Sequence, residues 1–224
     1  MKSYTSSLAF CFLLLLVATR ESGPSLLSVR QDVSAGRGPF GVAVGDFNDD
    51  GYQDFLIVNS LSDDLSVFLG RGDGGFTEAP RVRVGSFPRS AAVGDFNGDG
   101  RQDLAVANAR EHRISILLGQ GDGTFRPAPS LAVGRAPVAV AVGDFNGDGR
   151  QDLVVANNES NTLSILLGQG DGHFKVASEP AVGRFPVAVC VDDFNGDRRP
   201  DVAVANQRAN TVSILIGRGD GTFT

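Results

Sequence analysis

Four stretches of the chain concentrate oxygen-bearing side chains at a fixed spacing. "GDFNGDGRQD" occurs unchanged at 94–103 and 143–152, with "GDFNDDGYQD" at 45–54 and "DDFNGDRRPD" at 192–201. Counted from its first Asp, the second copy places side-chain oxygens at positions one, three and five: Asp95, Asn97 and Asp99. Gly100 at position six tolerates positive φ and lets the chain turn sharply. Arg101 at position seven offers a backbone carbonyl, and Asp103 at position nine closes the set with another carboxylate. An all-oxygen set rich in carboxylates suits a hard cation, and its size and flexibility suit Ca²⁺ better than Mg²⁺. An EF-hand would need Glu at position twelve and then a helix. Position twelve here is Ile57, Val106, Val155 or Val204, each inside an apolar, β-branched run. The loop therefore reads as a β-hairpin connection. Asp, Asn and Gly are ordinary turn residues, but four copies in register, each with the distant Asp, exceed turn composition. Four Ca²⁺ would add +8 to the formal charge of −6 and leave about +2.

The fourth loop carries Arg198 where its sisters carry Gly51, Gly100 and Gly149. Arg198 must adopt positive φ, at roughly 1 kcal/mol or more, or distort the turn. The expectation is three strong cation sites and a weaker fourth. Pro200 at position eight removes no ligand.

The elements that must hold these loops follow from a strict period. Asp46, Asp95, Asp144 and Asp193 are each 49 residues apart, as are Pro39, Pro88, Pro137 and Pro186, without insertion or deletion. One unit reads as four short strands: in the third, "PVAVAVGDF", "DLVVANN", "TLSILLG" and "HFKVASEPAVG", punctuated by "NGDG", "NNES" and "GQGDG". No helical period is sustained. Four antiparallel strands per repeat predict an all-β, β-propeller-type array of four blades. Residues 29–224 make four full periods of 49. The N-terminal segment 28–36 aligns with the end of a fourth strand, so it could complete the last blade and close a four-bladed ring. The alternative, an arc of a larger propeller, stays open.

Composition bounds the rest. The 224 residues are 42% hydrophobic and 21% charged, as in globular proteins. A net charge of −6 without a basic stripe argues against nucleic-acid binding. Lys2 and the apolar run Leu8–Ala18 predict a signal peptide over residues 1–24, too short for a membrane span. The mature chain, 25–224, is expected to be secreted, extracellular or at the cell surface, or periplasmic if bacterial and retained. It keeps one cysteine, Cys190, read as a small buried side chain on an innermost strand, so no intrachain disulfide staples it.

These residues resemble FG-GAP (VCBS-type) repeats, which build the β-propeller of integrin α-chains and occur in many bacterial exported proteins; "PFGVAVGDFNDDGYQD" carries the signature almost literally. The resemblance spans about 28–224. It implies Ca²⁺ at the first hairpin of each blade, held by Asp46, Asn48, Asp50, the Tyr52 carbonyl and Asp54 in the first loop. The second would use Asp95, Asn97, Asp99, the Arg101 carbonyl and Asp103; the third Asp144, Asn146, Asp148, the Arg150 carbonyl and Asp152; the fourth Asp193, Asn195, Asp197, the Arg199 carbonyl and Asp201. Family propellers usually have seven blades, which leaves closure of these four open.

Other motifs carry less. "RGD" at 71–73 and 218–220 is "QGD" in the sister repeats, so an adhesive reading is set aside. "GRGDGG" (70–75) lacks the following helix of a dinucleotide site. His112 and His173 have no partnered nucleophile in view, and one acidic cluster repeated four times suits scaffolding better than catalysis. No enzyme is expected. The second–third strand loops (60–63, 109–112, 158–161, 207–210) vary most between repeats. The fourth–first loops add Arg37, Arg135, Arg184, Phe40, Phe87 and Phe185, which is good interface material. The expected function is a calcium-stabilised binding or adhesion scaffold for a protein or glycan on the face opposite the calcium loops. A lectin-like propeller, or an accessory domain of a larger extracellular enzyme or adhesin, remains the alternative. Homo-oligomerisation stays open.

Overall fold

The computed structural model describes residues 31–224; the predicted signal peptide lies outside them. Residues 35–224 form one unit built only of strands and turns. The first sheet contains β1 (Pro39–Gly45), β2 (Asp54–Asn59), β3 (Asp64–Gly70) and an outer strand in two pieces, β4 (Phe76–Glu78) and β5 (Val82–Arg83). The second repeats this with β6 (Pro88–Gly94), β7 (Asp103–Asn108), β8 (Arg113–Gly119), β9 (Phe125–Pro127) and β10 (Leu131–Ala132). The third is β11 (Pro137–Gly143), β12 (Asp152–Asn157), β13 (Thr162–Gly168) and β14 (Phe174–Ser178). The fourth has three strands, β15 (Pro186–Asp192), β16 (Asp201–Asn206) and β17 (Thr211–Leu215), plus an isolated bridge between Gly217 and Phe223. Neighbouring strands pair antiparallel throughout.

Sequence explains the outer break. Pro80 and Pro129 fall between the two pieces in the first two sheets, and a proline cannot donate to the ladder, which confines it to an edge or an interruption. The inner strands alternate their side chains to opposite faces, and each face meets a different neighbour. Leu56, Val58, Leu65 and Val67 of the first sheet pack against Leu104, Val106 and Leu117 of the second. Ala105, Ile114 and Ile116 meet Leu153, Val155 and Leu166; Val154, Leu163 and Ile165 meet Val202, Val204 and Leu215. The core is thus three interfaces between four blade-like sheets, with β1, β6, β11 and β15 side by side.

Of the two arrangements left open, closure into a ring is not shown, and the expectation for Cys190 needs correction. Residues 31–36 form no strand, and the fourth sheet receives none from the N-terminus among the described residues. The end sheets do not seal against each other: Val42 and Val44 stay 64% and 57% exposed, Val212 and Ile214 64% and 52%. Cys190 is exposed rather than buried, because among the described residues no sheet packs on its face of the last sheet. No helix among the described residues is long and apolar enough to cross a membrane.

Candidate metal centre

Each aspartate loop joins the first two strands of a sheet, and all four have one internal wiring. The position-one carboxylate caps the turn. Asp95 accepts the N–H of Gly98 (2.8 Å) and of Gly100 (2.9 Å), and Asp193 accepts those of Gly196 (2.7 Å), Asp197 (3.1 Å) and Arg198 (2.7 Å). Asp46 and Asp144 do the same towards Gly51 and Gly149. The position-three amides, Asn48, Asn97, Asn146 and Asn195, donate to the carboxylates of Asp50, Asp99, Asp148 and Asp197 at 2.8–3.1 Å. Those carboxylates in turn accept the N–H groups of Tyr52, Arg101, Arg150 and Arg199 at 2.8–2.9 Å.

Position nine does something different. Asp103 is fully buried, and its two oxygens accept Phe96 N–H (2.9 Å) and Gly119 N–H (2.8 Å). Asp54, Asp152 and Asp201 clasp Phe47 and Gly70, Phe145 and Gly168, and Phe194 and Gly217. This carboxylate ties the loop to the end of the third strand across the second. The clasp needs glycine opposite it: a Cβ on Gly119 would meet the Gln102 carbonyl at 2.2 Å.

The electrostatics match this division. Burial pushes the Asp103 carboxyl up, the Gly119 and Phe96 amides pull it partly back, and the charges of Asp99 and Asp95 push it up again. Asp54 and Asp152 behave alike. Asp193 is held low by the Arg198 N–H, and Asp148 by that of Arg150. The predicted side-chain ligands of each loop therefore lie in one hairpin, and in the first three loops the acidic ones are near enough for their charges to oppose one another. That donor set fits a hard divalent cation, which would offset the repulsion. No three acidic, His or Cys side chains converge into a preformed cage among the described residues, since the oxygens turn towards backbone amides. The position-seven side chains lie over the outer Gly-Asp turns, Tyr52 over Gly72 and Arg150 over Gly170.

The fourth loop keeps its shape. Arg198 sits at φ 68°, against 84°, 84° and 80° for Gly51, Gly100 and Gly149, and its N–H makes the same bond to the position-one Asp. A Cβ at those glycines would meet nothing within 4 Å, so the Arg side chain has room to leave.

Several working residues escaped the sequence reading. Gln102, at position eight, accepts the Asp46 N–H of the preceding loop at 2.8 Å, so position eight links sheets, and Pro200 lacks that group. Phe47, Phe96 and Phe145 stack edge-on against Phe125, Phe174 and Phe223 of the next sheet, at 5.6, 5.4 and 5.6 Å. His112 occupies a position that the repeat reuses. Like Asp63 and Asn161 it sits at positive φ and accepts a backbone N–H from the next loop, that of Ala136 at 3.0 Å. The exact 49-residue recurrence of the Gln and Phe positions was the signal available.

On the opposite face, the second–third and fourth–first loops are joined, as by Ala109 N–H to the Phe87 carbonyl (3.1 Å) and Gln207 N–H to that of Phe185 (2.9 Å). Arg89 lies over the rings of Phe40 (4.1 Å) and Phe87 (4.5 Å), Arg110 over Phe87 (4.4 Å), and Arg208 over Phe185 (4.0 Å). A depression of about 180 Å³ there is lined by Asn158, Glu159, Asn161, Arg184, Phe185 and Arg208.

Among solved structures, a protein from Lactobacillus plantarum superposes with TM-score 0.70 at 18% identity, over 88% of this chain and 59% of that one. A putative 6-phosphogluconolactonase from Bacteroides uniformis gives 0.65 at 13%, over 83% and 52%. Hydrazine synthase from Kuenenia stuttgartiensis gives 0.53 at 15%, over 86% and 52%. At such identities the likeness shows the fold alone, and the chain spans little more than half the length of these proteins. No curated protein matches the sequence. The FG-GAP-like repeat pattern matches residues 46–106, 95–155, 144–192 and 193–224. Its start at each aspartate loop coincides with the structural period, and the chain belongs to the FG-GAP-like repeat family.

Proposed function

We propose that this chain is an exported, calcium-stabilised repeat scaffold that binds a protein or glycan partner on the face opposite its aspartate loops. The observation that carries this reading is the contrast between the two faces. One repeats the same oxygen-rich hairpin wiring four times. The other varies from repeat to repeat and presents Arg–Phe stacks, which combine charge, aromatic area and low flexibility. Asp46, Asn48, Asp50 and Asp54, with their counterparts in the other loops, would hold Ca²⁺ and need no open coordination position for catalysis. The ion's contribution would be charge compensation and rigidity. Calorimetric titration of the chelator-treated protein with Ca²⁺ tests the metal, with up to four equivalents expected and Mg²⁺ weaker. No heat and an unchanged melting temperature would sink it.

A lectin-like variant of this reading draws on a groove of about 270 Å³ between the first two sheets, lined by Arg81, Arg83, Phe125 and Pro127 among others. A glycan array separates the readings: a signal abolished by Arg81→Ala places sugar in the groove, and one abolished by Arg208→Ala places it on the loop face.

A further inference from the structure

We propose that the two end faces of the array pair with each other between two copies of this chain, head to tail. The argument starts from the three interfaces inside the chain, which are built alike. In each, a position-two Phe is 2% exposed and stacks on a Phe of the next sheet. In each, its carbonyl accepts an N–H from the next sheet's outer turn: Gly123 to Phe47 (2.9 Å), Gly172 to Phe96 (3.0 Å) and Gly221 to Phe145 (2.9 Å). That glycine also faces a leucine of the preceding sheet, since a Cβ on Gly123, Gly172 or Gly221 would meet Leu69, Leu118 or Leu167 at 2.9, 3.1 and 3.3 Å.

Advancing each series by one period of 49 gives a fourth set: Phe194 with Phe76, the Phe194 carbonyl with Gly74 N–H, and Ile216 beside Gly74. Within one chain this set is unmade. Phe194 is 47% exposed, and the space beside Gly74 is empty to 4 Å. Donor and acceptor halves of a fourth interface therefore stand on the first and last sheets of this array.

Both halves also keep interface chemistry. A terminal repeat that ends in water normally carries a polar outer face. The outer face of the first sheet carries Val42, Val44, Phe55 and Ile57 instead, and that of the last carries Val212 and Ile214, all apolar and aligned with residues buried in the interior interfaces. A contiguous apolar face of this kind marks an association surface. The surface whose repeat register matches it is the opposite end sheet of the same array, which makes a second copy the occupant. The contact is heterologous, so two copies close on each other if the rotation allows and otherwise extend into longer head-to-tail species.

One position of the new join differs from the interior ones. Asp192 stands where Gly45 and Gly94 stand, and a Cβ at either glycine would meet the next sheet's Gln102 or Gln151 at 2.0 Å. Gln53 of a second copy cannot take that place. Asp192 itself accepts the Asp193 N–H at 2.9 Å, as Gln102 does for Asp46, so the amide stays paired without it.

The test uses the full chain in sedimentation velocity at up to about 100 µM, well above a micromolar dissociation constant. The expected result is twice the monomer mass or larger. Two double variants, Val42→Asp with Val44→Asp and Val212→Asp with Ile214→Asp, alter only exposed positions. Each alone is expected to be monomeric. Mixed one to one they are expected to pair, because each keeps one intact face. Wild-type chain that stays monomeric overturns the proposal, as does a mixture that fails to pair while both variants retain native circular dichroism. Self-association of the Val212→Asp, Ile214→Asp variant alone also overturns it, since that would be first sheet against first sheet. Alkylation of Cys190 gives a second reading: it is expected to slow as wild-type concentration rises and to stay fast in the Val42→Asp, Val44→Asp variant. Protection that is independent of concentration would assign the cover to the same chain and refute pairing.

Discussion

Arg198→Gly is the most informative single change, because the structure separates its two effects. The first is backbone strain. Arg198 holds φ 68° in a turn otherwise built on glycine, and a non-glycine residue there costs about 1–2 kcal/mol. Glycine returns roughly 0.5–1 kcal/mol of that as extra conformational entropy lost on folding. The net gain is about 0.5–1 kcal/mol, and for a chain of this size it corresponds to about 1–4 °C in melting temperature. No packing term competes, since a Cβ at the sister glycines meets nothing within 4 Å. The second effect is charge, because a cationic side chain is removed from the fourth loop, which should then bind Ca²⁺ more tightly. Arg198→Ala isolates the second effect, as it removes the charge and keeps the strained Cβ. Urea melts in chelator should therefore rank Gly above Ala and Arg, whereas calcium titrations should improve in both variants. If Gly and Ala are equally stable in chelator, the strain argument is wrong. If neither changes the weakest calcium step, the fourth loop is not limited by Arg198.

Four further outcomes follow from the same geometry. Chelation should lower the melting temperature, since each site at a hundredfold excess of Ca²⁺ over its dissociation constant contributes about 2.7 kcal/mol; an unchanged melt by differential scanning calorimetry would count against bound calcium. Asp103→Ala removes both charge-assisted bonds of the clasp and should cost about 3–5 kcal/mol in urea melts even in chelator, whereas a purely metal-binding Asp would show no cost there. Gln102→Ala should cost about 1 kcal/mol by loosening the first two loops, read as faster amide exchange at Asp46. The pH dependence has a definite sign: burial raises the folded Asp103 carboxyl above its ordinary 3.8, so the folded state holds that proton more tightly than the unfolded chain. In chelator, the stability advantage of wild type over Asp103→Asn should be greatest below 3.8 and shrink as pH rises through the folded value; a widening gap would contradict the burial argument.

The sheets were legible because strand signals depend on neighbours in sequence. "TLSILLG" alternates, Gly and Pro punctuate, and the structure places β13 there. The loop was legible for the same reason, down to the positive φ of Arg198. What a repeat hides is position within the array. Phe145 and Phe194 stand at equivalent places in nearly identical loops, yet one is 2% exposed and the other 47%. Cys190 and Ala141 are equally matched in sequence, and only Cys190 lies open on an end face. Burial here belongs to the next sheet, and no window of sequence says whether that sheet is present. Gln102 was passed over because a ligand-based count of the loop looks only inward, whereas its side chain acts on the preceding loop.

The division of labour among the aspartates bears on how calcium would act. An Asp at position nine that only waited for a cation would be free in its absence, and the hairpin would be loose. Here Asp54, Asp103, Asp152 and Asp201 each satisfy two backbone amides. Each would leave a buried donor unpaired if it swung away, at a cost of about 1–3 kcal/mol per group. The clasp is therefore part of the sheet. A cation would have to be held by the remaining lone pairs of this fixed carboxylate together with the more exposed side chains at positions one, three and five. Those three groups are the ones free to adjust, because their present partners are amides of the same short turn. Metal loading would then reorganise the loop face and leave the sheet interfaces as they are. Amide exchange gives that separation a direct form: calcium should protect the amides of residues 98–101 more than those of β7 and β8, and equal protection in both would mean that the cation is coupled to the core through the clasp.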